Sequence, residues 1–334
     1  MQESPARFQR GISLYSFQEH YHRGNLGLDD CLAVASSMGV TGFEMLADQM
    51  LPGYPSITYN LGEDFVERWR GMLARHDLDP VALDVYGETK LYKHRARTPA
   101  ELLDEMRALL KTAQVLGFGI LRLTFHLPLT VVADLLPYAE EADIRLACEV
   151  HAPHLLGGEW VQSYLNLAAR TGTRHLGLMP DLGTFCRHIP RVALDEALRD
   201  GATPRLIQYM AEAYAAGEST ADMVARITGM GGNDTDLWMA LRLAIRVWTY
   251  QPPAVLADYL PHVFHIHGKF YEMTADGVEP DIPYEEILRV LISGGYEGYI
   301  MSEYEGQRLT AGVDTGYDEI EQVQRHQALL ARYL

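Results

Sequence analysis

A (β/α)8 barrel is the fold that this sequence predicts, and three observations predict it. Short apolar runs alternate with longer amphipathic stretches, the mark of repeated βα units around a parallel sheet. Eight such runs can be counted, the number a closed barrel needs. The length of 334 residues suits one barrel spanning residues 1–334 better than two small domains. A doubly wound open sheet is the alternative architecture.

The eight expected strands are Gly11–Ser16, Gly42–Met45, Pro80–Asp84, Ile120–Thr124, Arg145–Glu149, Leu176–Pro180, Val263–His267 and Tyr299–Ser302. Between them, apolar residues recur at helical spacing over Leu28–Met38, Phe65–His76, Pro99–Leu116 and Trp160–Thr171. A further helix is expected to open at Asp281, where Pro283, Glu285 and Glu286 suit a first turn, and to stop at Gly294-Gly295. The tail Asp318–Leu334 reads as a last helix closing the ring. One connection, Phe185–Leu260 between the sixth and seventh strands, is too long for a simple βα loop. It carries at least two helical patterns, Thr203–Ala216 and Asp234–Tyr250, parted by the glycine-rich break Thr228–Asn233. Excursions of that length commonly form lids, binding loops or contact surfaces.

Composition removes several classes. A net charge of −17 with no basic run argues against a nucleic-acid partner, because neutralising phosphates needs clustered Lys and Arg. No apolar run approaches the roughly 18 residues that span a bilayer, and the N-terminal MQESPARFQRG has no apolar signal core. The three cysteines, Cys31, Cys148 and Cys186, form no CxxC pair, so reduced thiols in a soluble, cytoplasmic chain are expected.

A barrel gathers its chemistry at the C-terminal ends of its strands. There the sequence places Glu149 after Arg-Leu-Ala-Cys, Asp181 after Leu-Gly-Leu-Met-Pro, His267 after Val-Phe-His-Ile and Glu303 after Tyr-Ile-Met-Ser. Three carboxylates and an imidazole facing one point would repel one another and resist ionisation unless a cation joined them. That donor set suits Mn²⁺, with Mg²⁺, Fe²⁺, Co²⁺ or Zn²⁺ as alternatives. His265 rivals His267, and only one of the pair is expected to look into the mouth; the position nearer the strand end is preferred. His151, two residues past Glu149, is a candidate general base. His126, after the fourth strand, and Lys269 are candidates for binding substrate oxygens or moving protons. His154, Tyr15 and Phe17 are candidate substrate contacts, with Tyr54 a further aromatic residue near the expected mouth.

These segments are similar to the sugar phosphate isomerase/epimerase superfamily of xylose-isomerase-like barrels. The likeness is carried by Ile282–Glu303, by His265-Ile-His-Gly-Lys269 and by Gly39-Val-Thr-Gly-Phe-Glu44, and covers nearly the whole chain outside Phe185–Leu260. It implies the same four metal ligands. Phe270 departs from it, standing where many relatives carry Asp after the lysine. A narrower resemblance, through Gly11–Gln18, Gln49–Pro55 and Thr89–Lys93, is to the catalytic α subunits of bacterial C-glycoside deglycosidases. It implies metal-assisted cleavage of a 3-oxo-C-glycoside and a small β subunit as partner. The alternatives are a ketose isomerase or epimerase, a non-catalytic carbohydrate-binding barrel, and a DNA-repair endonuclease, the last disfavoured by the acidic balance.

Overall fold

The computed structural model describes residues 8–53, 61–245, 247–310 and 318–334. The strands are β1 Gln9–Ser13, β2 Gly42–Leu46, β3 Asp79–Val85, β4 Ile120–Leu123, β5 Arg145–Val150, β6 Leu176–Pro180, β7 Ile266–Phe270 and β8 Tyr299–Tyr304. All pair in parallel in the order β6-β5-β4-β3-β2-β1-β8-β7. Single parallel bridges, Leu178 to Val263 and Asp181 to His267, join β6 to β7 and close the ring. The chain is therefore a (β/α)8 barrel. Its seam lies at the two strands that carry Asp181 and His267.

Side chains alternate across each strand, so every second residue faces the barrel interior. The lower interior is apolar, with Ala82, Ile120, Ala147 and Met179 from β3 to β6 packed as one buried cluster. Two residues further along the same strands stand Asp84, Arg122, Glu149 and, just past β6, Asp181, all at most 5% exposed. An apolar floor thus carries a charged layer. Outside the sheet, Phe43, Trp69 and Phe118 pack with ring centroids 5.7–5.9 Å apart and fasten β2 to its covering helices. Trp69 is 1% exposed, and its replacement by Ala would cost about 3–5 kcal/mol through the cavity left behind.

Local signals explain which helices match expectation. Pro99–Leu116 begins at Thr98, whose hydroxyl accepts from Glu101 N while the Glu101 carboxylate takes Thr98 N–H. Pro99 sits at the first helical position, and Gly117 ends the helix with φ +86°. The last helix, Glu319–Ala331, starts at Asp318, whose side chain accepts from Glu321 N. The helix expected from Asp281 opens at Tyr284 instead, because Glu279 holds the backbone N–H groups of Asp281 and Ile282 in a loop.

Two strands are displaced. β1 ends at Ser13, and Leu14–Phe17 continues as a 3-10 turn. β7 runs three residues past His267, because Gly268 and Phe270 face the helices while His267 and Lys269 face the interior. Among the described residues five α-helices lie between β6 and β7, where the sequence showed at least two patterns: Arg191–Arg199, Pro204–Ala215, Thr220–Gly229, Asp234–Ala244 and the short Leu256–Tyr259. Buried Asp236 ties the starts of Pro204–Ala215 and Asp234–Ala244, accepting from Thr203 N and Oγ1 and from Asn233 N at 2.8–2.9 Å. No helix among the described residues is long and apolar enough to cross a membrane.

Candidate metal centre

Glu149, Asp181, His267 and Glu303 meet at the C-terminal end of the barrel, each with a ligand atom within 4.8 Å of the others, all four buried. His267 lies between carboxylates. Its Nδ1 faces Glu149 Oε1 at 2.9 Å and Glu303 Oε2 at 3.1 Å, and its Nε2 faces both oxygens of Glu44 at 2.8 and 2.9 Å. Arg122 donates through Nη2 to Glu149 Oε2 at 2.7 Å. Lys269 Nζ sits 3.1 Å from Asp181 Oδ2, 3.2 Å from Glu303 Oε2 and 3.0 Å from Glu305 Oε2.

Electrostatics follow from that crowding. Burial opposes the charge on His267, yet Glu303 and Glu44 hold its pKa well above the ordinary value. Burial likewise opposes the Lys269 ammonium, and the three surrounding carboxylates keep it charged. For Glu149, burial pushes the pKa up, but Arg122 and His267 outweigh it and the carboxyl stays well below its usual range. Asp181 is raised, chiefly by burial.

The residues fit a divalent ion. Asp181 Oδ2 and Glu303 Oε2 are buried and accept no hydrogen bond, although Lys269 Nζ lies near both and His267 Nδ1 near Glu303 Oε2. Three carboxylates and one imidazole form a hard to borderline donor set suited to Mn²⁺, Mg²⁺, Fe²⁺ or Co²⁺. His267 meets the further requirement that its remote ring nitrogen be engaged by an acceptor, here Glu44.

The other expected site residues are placed unevenly. His151 lies beside the cluster, with Nε2 at 3.8 Å from Asp181 Oδ2 and its side chain 38% exposed. Its Nδ1 contacts Ala152 O at 2.6 Å. A carbonyl only accepts, so Nδ1 carries a hydrogen, and in the neutral ring Nε2 holds the lone pair on the side of the mouth. His154 stacks on Trp160 with centroids 4.6 Å apart, and exposed His126 packs against Phe125 at 4.0 Å. Tyr15 is nearly buried, its hydroxyl taking a hydrogen bond from Arg308 Nη1 at 3.4 Å. Tyr54 lies outside the described residues.

Two expectations are corrected. Phe17 is fully buried in the hydrophobic core, because the 3-10 turn after β1 rotates it inward, so it presents no face to a ligand. His265 and His267 do not divide between two faces: residues two apart on a strand share a face, and both contact Glu44, at 3.0 and 2.8 Å. Depth separates them. Phe270 faces the helix layer, stacked on His326 at 4.3 Å, so its departure from the family pattern lies away from the cluster.

Glu44, Asp84, Arg122 and Glu305 were missed as site residues. The first three are solitary polar side chains inside otherwise apolar strands, and that pattern is the signal that points to them.

Residues 32–333 match the family described as the xylose isomerase-like TIM barrel, and the chain belongs to it. Among curated proteins it is 29% identical over 314 residues to the 3'-dehydrocarminate deglycosidase alpha subunit of a Microbacterium species, covering 89% of this chain and 88% of that one. It is also 29% identical over 310 residues to a C-glycoside deglycosidase alpha subunit of Arthrobacter globiformis, covering 89% and 84%. Among solved structures, D-psicose 3-epimerase of Clostridium cellulolyticum H10 superposes with a TM-score of 0.59 at 10% identity over 98% of this chain and 99% of that one, a likeness of fold. The curated relatives are enzymes by name, and this chain is an enzyme of the same family.

Proposed function

We propose that this chain is the catalytic subunit of a C-glycoside deglycosidase, and that Glu149, Asp181, His267 and Glu303 hold its divalent ion, Mn²⁺ being the best fit. The observation that carries the chemistry is His151, with a free Nε2, poised beside a buried four-donor cluster. The curated relatives over nine-tenths of the chain favour the lyase over the ketose epimerase.

An ion held by the four donors supplies Lewis-acid polarisation of a sugar ketone. His151 takes the proton from the carbon between the ketone at C3 and the anomeric carbon C1. The electron pair released from that C2–H bond forms the C1–C2 double bond. The bond from C1 to the aglycone breaks with its electrons, and the aglycone carbon takes up a proton. Lys269, 3% exposed and ringed by carboxylates, is the residue that would bind a substrate oxygen as it gains negative charge. His126 and His154 line the same side of the mouth as His151, through their contacts with Phe125. Half-buried Phe125, its ring 6.3 Å from that of His151 and nearly parallel at 14°, offers a planar face that suits an aromatic aglycone. A small β subunit is the expected partner, since the relatives are named alpha subunits.

The test is incubation of the protein, with and without a candidate small subunit, with a 3-oxo-C-glycoside and its unoxidised parent. Free aglycone should come from the 3-oxo compound alone. No aglycone from either, together with exchange of the α-hydrogen of a free ketose in D₂O, would assign the chain to the epimerase chemistry instead.

A further inference from the structure

The cluster holds a carboxylate that is not one of the four donors. Glu44 on β2 is 0% exposed and lies across the barrel lumen from β7. Its two oxygens face three contacts with imidazole Nε2 atoms: His267 at 2.8 and 2.9 Å and His265 at 3.0 Å. A carboxylate only accepts, so both histidines must present Nε2–H to it.

For His267 that requirement has a consequence at the other end of the ring. An ion at the four donors takes the place of the Nδ1 hydrogen; the ring then carries one hydrogen, held on Nε2 by Glu44, and its lone pair is on Nδ1. Nδ1 is the atom that faces Glu149 and Glu303. We propose that Glu44 is the positioning residue of the centre: it fixes the tautomer and ring angle of His267, so that Nδ1 arrives as an ion ligand. His265, whose rings lie 6.2 Å centroid to centroid from those of His267, donates to the same carboxylate from below and stops it from rotating away. The negative charge of Glu44 also makes the His267 lone pair a stronger donor. The inference rests on the reading that the four donors hold an ion.

Glu44, Asp84 and His267 also bring ligand atoms within 4.8 Å of one another, the spacing of a second ion site. The hydrogen bonds decide against it. The Glu44 oxygens already face two imidazole N–H groups, and a cation there would have to displace the Nε2 hydrogen of His267. One ion per chain is the consequence.

The experiment is calorimetric titration of chelator-stripped protein with Mn²⁺, for wild type, Glu44→Gln and Glu44→Asp, with melting of the ion-free proteins as the measure of folding. Glu44→Gln keeps the volume but turns an amide NH₂ toward one of the two imidazoles, and should weaken Mn²⁺ binding about 10–100-fold. Glu44→Asp keeps the charge and withdraws it, and should fall between. Long-range ¹H–¹⁵N spectra of Mg²⁺-loaded wild type should show the Nε2–H tautomer at His267, and Glu44→Gln should lose that uniformity. A Glu44→Gln protein that melts like wild type and binds Mn²⁺ with unchanged affinity overturns the inference. If that variant does not fold, unchanged affinity in Glu44→Asp overturns it equally. A wild type that takes up two ions overturns the one-ion assignment. A wild type that binds none defeats the ion reading beneath it.

Discussion

His151 directs Nε2 toward Asp181 Oδ2 across 3.8 Å while Ala152 O holds its Nδ1 hydrogen at 2.6 Å. In the neutral ring so held, the lone pair faces the cluster, and at 38% exposure the ring is open to a substrate. His151→Asn should therefore lower kcat about 10²–10⁴-fold while leaving ion content unchanged, as measured by turnover and elemental analysis. Near-normal turnover would move the proton transfer to another group, with Lys269 and His126 next.

Removal of single donors should separate ion binding from folding. Arg122 is 6% exposed in its side chain and donates to Glu149 at 2.7 Å, with Asp84 a more distant 3.8 Å away. Glu149→Ala leaves that guanidinium without its hydrogen-bonded partner, a loss of about 3–5 kcal/mol for a broken buried pair. Asp181→Ala leaves Lys269 with Glu303 and Glu305. Both variants should lose the ion, but urea denaturation should show Glu149→Ala destabilised by clearly more than Asp181→Ala. Equal stabilities would show that Arg122 does not depend on Glu149.

Acid sensitivity should originate away from the centre. His326 is fully buried between the rings of Phe270 and Tyr284, and burial pushes its pKa down to about 3. In the unfolded chain a histidine takes a proton below about pH 6.5. Between those values the unfolded state binds one more proton than the folded state, so stability falls as pH drops. From pH 7.5 to pH 5.0 this group should remove about 2 kcal/mol. His326→Phe keeps the ring packing and removes the titration, so urea midpoints should vary less with pH in the variant. The same pH dependence in both proteins would assign the effect elsewhere.

The barrel was legible because each strand ends where apolar residues give way to a turn, and because Thr98-Pro-Ala-Glu101 and Gly117 mark a helix by local hydrogen bonding alone. The gathering of Glu149, Asp181, His267 and Glu303 was legible for a related reason: one polar residue closes each of four consecutive apolar runs. What was not legible depended on tertiary direction. Glu44, Asp84 and Arg122 are polar residues within strands, and only barrel closure turns them toward the cluster. Lys269 is a candidate from the sequence, but its place inside the barrel follows only from β7 extending through Phe270. Phe17 depended on a 3-10 turn that its apolar neighbours do not announce. Between β6 and β7, the starts of Pro204–Ala215 and Asp234–Ala244 are joined through Asp236, a long-range contact that helical periodicity does not encode.

Removal of a proton beside a sugar ketone, by His151 with a divalent ion held by the four donors, is the step on which the proposed function rests. Its most direct test is the appearance of deuterium at C2 of a 3-oxo-glycoside in D₂O, followed by NMR for chelator-stripped protein before and after Mn²⁺ is restored. Exchange should be absent from the stripped protein, return with about one equivalent of Mn²⁺, and stay absent in His151→Asn. Exchange that proceeds undiminished in the stripped protein would contradict the claim.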